Sequence, residues 1–353
     1  MLDFFPAISM EELKMSFFNS HKSHIAVIAL ISLVSLGAAY AALHTLSHDT
    51  VHDPAWELYA DLNDAFAAHW KARTGVDVRI GLAQTKSGKP VRAVLDGLAV
   101  PTLVLAYDVN KLHEKKRFIA PSLGRALLQN APTGSARVSP YFSTIVFLVR
   151  KGNPKELIDW GDLSRPGIEV VTPNPKISEN GRWNYLAAWG YALRQPGSSE
   201  ETALAFVGRL FANVKSPVIA DFVERGIGDV LLVWENEAHL LSGTGAGVDK
   251  FEIVIPSMSI AGEPTVSVAS PVAARNSMRD VAADYIEYLY TPQAQDIAGR
   301  HYYRPRDEQV GAKYANVFPA LKLFTIDEAF GGWRQAGKIH FAQGGVLDQI
   351  QGN

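Results

Sequence analysis

Apolar positions recur at helical spacing early in the chain: Trp56, Tyr59, Leu62, Phe66 and Trp70 fall on one face. Asp53-Pro54 ahead of them supplies an N-cap and a first-turn proline, and Gly75 stops the helix. Residues 76–82 alternate like a strand. Ser87-Gly88-Lys89-Pro90 turns into a helix over 91–98, followed by a short buried strand over 103–106 and a helix over 109–116. Residues 144–149 form a nearly unbroken apolar run, closed by the turn Lys151-Gly152-Asn153-Pro154. A strand over 168–171 leads through the Pro-rich turn 172–178 into an aromatic helix over 183–193. A helix over 200–211 follows, and Gly226-Ile227-Gly228-Asp229 introduces a strand over 230–234. The helix over 235–241 runs into the glycine loop 243–247. Residues 251–255 and 265–268 read as strands, and the chain from Met278 onward is mostly helical. Strands alternating with helices predict parallel sheets joined by crossover helices.

A length of 353 residues suits two packed lobes better than one core. The net charge of -2 argues against a nucleic-acid partner, which needs a basic face. The chain has no cysteine, which removes disulfides, thiolate catalysis, zinc ribbons and a lipidated-cysteine anchor. Residues 25–43 are almost continuously apolar, and Ala39-Tyr40-Ala41 fits a signal-peptidase site. They read as a secretory signal peptide cut near Ala41 or Ala42, with an uncleaved membrane span as the alternative. Met15 offers a later start and a shorter leader. Either way the bulk of the chain lies outside the cytoplasmic membrane.

No G-x-S-x-G elbow, H-E-x-x-H pair or Walker loop occurs, so no enzyme is indicated and no cofactor is called for. The run 243–247 follows a helix rather than a strand, so it reads as a plain loop and not a phosphate cradle. His48-Asp49 and His52-Asp53 read as a mature N-terminus and helix cap rather than a metal site. Three polar helix starts remain: Asp53, Ser87-Gly88-Lys89, and the stretch from Ser178 to Arg182. Loops that open into helices at the carboxyl ends of parallel strands form the ligand crevice of α/β sheets. Backbone N–H groups, hydroxyls and an indole gathered there suit a tetrahedral oxyanion. Each loop taken alone is only a helix cap.

Several strings closely resemble the periplasmic sulfate-binding proteins of sulfate/thiosulfate ABC importers. They include Phe147-Leu148-Val149-Arg150-Lys151-Gly152-Asn153-Pro154, Arg182-Trp183-Asn184-Tyr185-Leu186, Phe222-Val223-Glu224-Arg225-Gly226-Ile227-Gly228-Asp229, Trp234-Glu235-Asn236-Glu237 and Tyr302-Tyr303-Arg304-Pro305. The similarity runs from about Asp53 to the C-terminus. It implies an α/β, two-lobe solute-binding fold of type II, each lobe a mostly parallel sheet flanked by helices, with a hinge between them. Lobe 1 would comprise residues 45–143 plus 256–320, and lobe 2 residues 144–255. Residues 321–353 would pack as helices across the lobes, and 1–42 would be the signal peptide or anchor. The implied protein is a periplasmic monomer, not an enzyme, that holds sulfate or thiosulfate and hands it to a membrane permease.

The implied ligand contacts are Asp53, Ser87, Gly88, Ser178, Asn180, Gly181 and Trp234, with no metal. Departures from the family gather at the same loops. Two glycines ahead of S-G-K are replaced by Thr85 and Lys86, and S-G-G-A-R-W has become Ser178-Glu179-Asn180-Gly181-Arg182-Trp183. A Glu179 carboxylate about 4 Å from an anion would cost roughly 4 kcal/mol at an effective dielectric near 20, unless it turns to solvent. The loop before Phe222 is shortened and contains Pro217, which has no donor N–H. Lys86 and Lys215 would offer compensating charge. The alternative reading is a non-transport paralogue, a sensor or interaction module, whose anion site is lost or repurposed.

Overall fold

The computed structural model describes residues 54–78, 80, 139–243, 248–264 and 276–351. Helix α1 (Pro54–Thr74) presents Leu58, Tyr59, Leu62 and Phe66 as its buried face. Tyr59, Leu62 and Phe66 of the expected stripe are there, with Leu58 added; Trp70 is half-buried, and the side chain of Trp56 is outside what is described. The helix ends where the Gly75 N–H reaches the Lys71 carbonyl at 2.8 Å. Residues 76–78 carry no strand, and the rest of that predicted strand is outside the described residues except Ile80. The predicted elements between 87 and 116 and the strand over 265–268 also lie outside them.

Strand β1 (Tyr141–Arg150) is buried along most of its length. Its alternate side chains serve different cores. Ile145, Phe147 and Val149 enter the largest cluster, while Val146 and Leu148 enter a second. Tyr141 at its start belongs to a third, formed with α1. A strand covered on both faces needs no polar alternation, which is why its sequence reads as a continuous apolar run.

The remaining strands are β2 (Val170–Val171), β3 (Val214–Ser216), β4 (Val230–Trp234), β5 (Phe251–Val254), β6 (Met258–Gly262), β7 (Arg304–Pro305) and β8 (Lys322–Phe324). Their sheet path is β3-β2-β4-β1-β6-β8, with β5 and β7 also on β1. Strand β2 pairs parallel with β3 and β4, and β6 pairs parallel with β8. Strand β1 is antiparallel to β4, β5, β6 and β7. The described sheet is therefore mixed, where the resemblance implies a mostly parallel one. Crossover helices do join the parallel strands, but the direction of β1 depends on connections that a residue pattern does not encode.

The crossover between β2 and β3 consists of α2 (Glu179–Ala192) and α3 (Glu200–Ala212); α4 (Ile219–Val223) precedes β4. Helix α5 (Glu235–Gly243) follows β4 without a break. Helices α6 (Asn276–Tyr288) and α7 (Pro292–Arg300) contribute Tyr288, Leu289, Ala294, Ile297 and Ala298, at the end of α6 and along α7, to the core shared with α1. Beyond α8 (Glu308–Lys313), the C-terminal helices α9 (Ile326–Phe330), α10 (Trp333–Ala336) and α11 (Val346–Gln351) place Ile326, Phe330, Trp333, Ala336 and Leu347 in the largest core. Among the described residues, no helix is long and apolar enough to cross a membrane.

Candidate functional site

The end of β2, the loop after it and the first turn of α2 are tied into one unit. Asn174 caps its own loop by accepting the Lys176 N–H at 2.9 Å. The Ser178 N–H donates to the Asn174 carbonyl at 2.8 Å. Arg182 reaches back to donate to the Pro175 and Lys176 carbonyls at 3.0 and 3.3 Å. Asn184, buried inside the helix face, donates to the Thr172 hydroxyl and the Leu232 carbonyl, both at 2.9 Å. This is the physical content of the Arg182-Trp183-Asn184 string: an arginine and an asparagine fasten the helix to the loop and to β4.

Ser178 is the N-cap of α2, and its hydroxyl accepts the Gly181 N–H at 3.3 Å. The resemblance implies an anion contact for it; in the structure its oxygen closes the helix start. Removing it should cost about 1 kcal/mol of folding stability. Urea denaturation of Ser178→Ala measures that loss, and no change in midpoint contradicts the capping role. The packing of the chain's own loop also requires Gly181. A Cβ there would lie 2.3 Å from the Pro173 carbonyl oxygen, so this glycine admits the chain's own loop.

Trp234 ends β4 and faces this unit. Its ring meets Trp183 edge-to-face at 5.3 Å and 67°. On another side it covers Gly262 of β6, where a Cβ would come within 2.2 Å of the ring. Between these constraints the indole N–H donates to the Asn180 side-chain oxygen at 3.2 Å. Pro173, Asn180, Asn184, Leu232, Trp234 and Glu237 line a shallow depression at this point. Four sequence-predicted contacts, Ser178, Asn180, Gly181 and Trp234, are thus brought to one place. Asp53, Ser87 and Gly88 lie outside the described residues. Asn184 is a site residue that the sequence reading misses, although it sits within a family string; its signal is a lone amide on a helix face otherwise packed with aromatic and small residues.

Glu237 lines this depression, and the other charges nearby are arranged around it. Lys215, a candidate compensating cation, pairs instead with Glu169 at 3.4 Å on exposed surface. Lys176 pairs with Asp348. Lys86 is outside the described residues. Glu179, in the first turn of α2, keeps one carboxylate oxygen out of solvent. In the shortened loop, Ser216 donates to Asp221 and accepts the Val218 N–H at 3.1 Å. Immediately behind Trp234, Glu235 is fully buried against Arg304. Burial pushes its carboxyl above the usual range, and the Arg304 guanidinium pulls it back. Of its polar lining, Glu237 is acidic, the indole N–H is engaged with Asn180, and the Asn184 amide donates to Thr172 and Leu232, which leaves the Asn180 amide group to face a guest.

Residues 57–304 match the family described as bacterial extracellular solute-binding protein. The sulfate-binding protein of Escherichia coli (strain K12) is 52% identical over 310 residues, covering 85% of this chain and 91% of that protein. The thiosulfate-binding protein of Pseudomonas aeruginosa is 39% identical over 326 residues, covering 89% and 94%. Among solved structures, the sulfate-binding protein SubI from Mycobacterium tuberculosis H37Rv superposes with a TM-score of 0.63 at 29% identity, covering 81% of this chain and 94% of that one. The fold is the α/β fold of the type II periplasmic binding proteins. With the family match running from α1 to β7 and a relative 52% identical over most of the sequence, the chain belongs to the bacterial extracellular solute-binding proteins.

Proposed function

We propose that the protein captures sulfate or thiosulfate outside the cytoplasmic membrane and delivers it to an ABC importer. The observation that carries this reading is the meeting of Trp234 with Asn180 in the first turn of α2, in a chain 52% identical to a sulfate-binding protein. Neutral donors in a partly enclosed site suit a small dianion, because hydrogen bonds to a charged acceptor are stronger than neutral ones and need no buried counter-charge. Asp53, Ser87 and Gly88 would complete the cradle from lobe 1, residues 45–143 plus 256–320, with lobe 2, residues 144–255, supplying Ser178, Asn180, Gly181 and Trp234. Tyr141 at the start of β1 and Ile145 onward lie in different cores, which supports a boundary near 144. The protein then acts as a periplasmic monomer released by signal-peptide cleavage, does no chemistry on its ligand and docks on a permease. Nothing in the comparisons favours a non-transport role.

Calorimetric titration of the mature chain with sulfate, thiosulfate, molybdate and phosphate tests the reading. Binding of sulfate or thiosulfate with micromolar or tighter affinity is expected, and silence toward every oxyanion overturns it. Glu179→Gly should tighten sulfate binding, since it removes a carboxylate from the first turn of α2. Unchanged affinity would show that this carboxylate does not face the ligand.

A further inference from the structure

The Trp234–Asn180 hydrogen bond fixes more than one side chain. An indole nitrogen can only donate. Its partner on Asn180 must therefore be the amide oxygen, and the amide NH2 must lie on the other side of that group. No described residue accepts a hydrogen bond from Asn180 Nδ2, although Asn180 lines the depression. Trp234 has one N–H hydrogen, and it is engaged. The ring is not at liberty to swing it elsewhere: Trp183 meets one side, and Gly262 lies so close beneath that a Cβ would reach to 2.2 Å. Two hydrogens on Asn180 Nδ2 thus stand at the depression, held there by a tryptophan that contributes none of its own.

We propose that Trp234 is a positioning residue, and that the oxyanion is bound by the Asn180 amide which its indole orients. This rests on the reading of the protein as a sulfur-oxyanion carrier, and it names the group that takes the ligand. The pair exchanges one indole donor for two amide donors at a position where the family pattern has glycine. The amide oxygen, which would repel a dianion, is turned away because the indole holds it.

A double-mutant cycle read by sulfate calorimetry tests this. Asn180→Ala should weaken binding about tenfold to a hundredfold, the effect of losing hydrogen bonds to a charged group. Trp234→Phe should give a similar loss, because the freed amide no longer holds its orientation. In the Asn180→Ala background, Trp234→Phe should cost little more, within about threefold. Asn180→Asp keeps the indole bond but presents a carboxylate, and should abolish measurable binding. The indole 1H–15N resonance of Trp234 should shift on Asn180→Ala without ligand, and hardly move when sulfate is added to the wild type. If Trp234→Phe costs as much in the Asn180→Ala background as in the wild type, or if Asn180→Ala leaves affinity unchanged, the indole contacts the anion itself and the proposal falls while the carrier function stands. Wild-type protein that binds neither sulfate nor thiosulfate overturns both.

Discussion

Replacing Glu235 with alanine is expected to cost about 3–5 kcal/mol of folding stability, most of what a domain this size can lose and remain folded at ordinary temperature. Glu235 is 0% exposed and Arg304 8%. The guanidinium meets the carboxylate through two hydrogen bonds of 2.6 and 2.7 Å, and donates twice more, at 3.1 Å, to the Pro319 carbonyl. Phe318 covers it, its ring centroid 5.3 Å from the guanidinium carbon. Truncation at Glu235 leaves that cation buried without its counter-charge, with no solvent to replace it. The pair joins distant parts of the chain: Glu235 opens α5 directly after Trp234, while Arg304 lies in β7 against the start of β1. The double variant Glu235→Leu with Arg304→Met should recover most of the loss, because two apolar side chains of similar volume carry no desolvation cost. Urea denaturation followed by circular dichroism, with equal slopes for all variants, measures both effects. A loss below about 1 kcal/mol for Glu235→Ala would mean that water reaches Arg304, and that the pair is no more than a surface bridge.

That pair shows where sequence reasoning stops. Local features are legible. Strand β4 occupies the predicted residues 230–234, and α3 and α5 begin where their capping and polar residues place them. Helix α2 begins four residues earlier than its apolar pattern suggests, because Ser178, not the first tryptophan, defines its start. The strand over 168–171 shortens to β2, since the Glu169 N–H is taken by the Asp229 side chain at 2.9 Å rather than by a neighbouring strand. Strands β3, β6, β7 and β8 have no counterpart in the sequence reading. Met258-Ser259-Ile260-Ala261-Gly262 lacks both alternation and a β-branched run, and it is a strand because β1 and β8 flank it. At the site, residue types are legible and their assignments are not. Ser178, Asn180, Gly181 and Trp234 stand out as polar, glycine or aromatic residues at element ends. Only their spacing in three dimensions reveals that the hydroxyl caps a helix, the glycine admits Pro173, and the indole holds an amide 54 positions away.

Stability should fall by about 3 kcal/mol between pH 6.5 and pH 4 on account of His340 alone. This residue lies in the turn Gly337–Phe341, where the C-terminal segment closes on the largest core, and it is 4% exposed. Its Nδ1 is 2.9 Å from the Tyr185 hydroxyl, and its ring is walled by Trp189 at 5.0 Å and Phe330 at 5.5 Å. Tyr185, Trp189, Phe330 and Phe341 face it, and no carboxylate is among them to receive a charge. Burial therefore pushes the imidazole down to about 4, from an ordinary value of 6.5. The direction of the effect follows from proton counting. Between those two values the unfolded chain binds a proton that the folded chain refuses, so stability is complete above pH 6.5 and is lost as the solution is acidified toward pH 4, with no further loss below. His340→Gln cannot titrate and isolates the contribution from that of every carboxylate in the chain. Denaturation midpoints for wild type and variant should converge as the pH drops, their difference shrinking by the stated amount. Parallel pH profiles would mean that the ring reaches water in the native state, and that the C-terminal helices open over it far more readily than their packed aromatic contacts require.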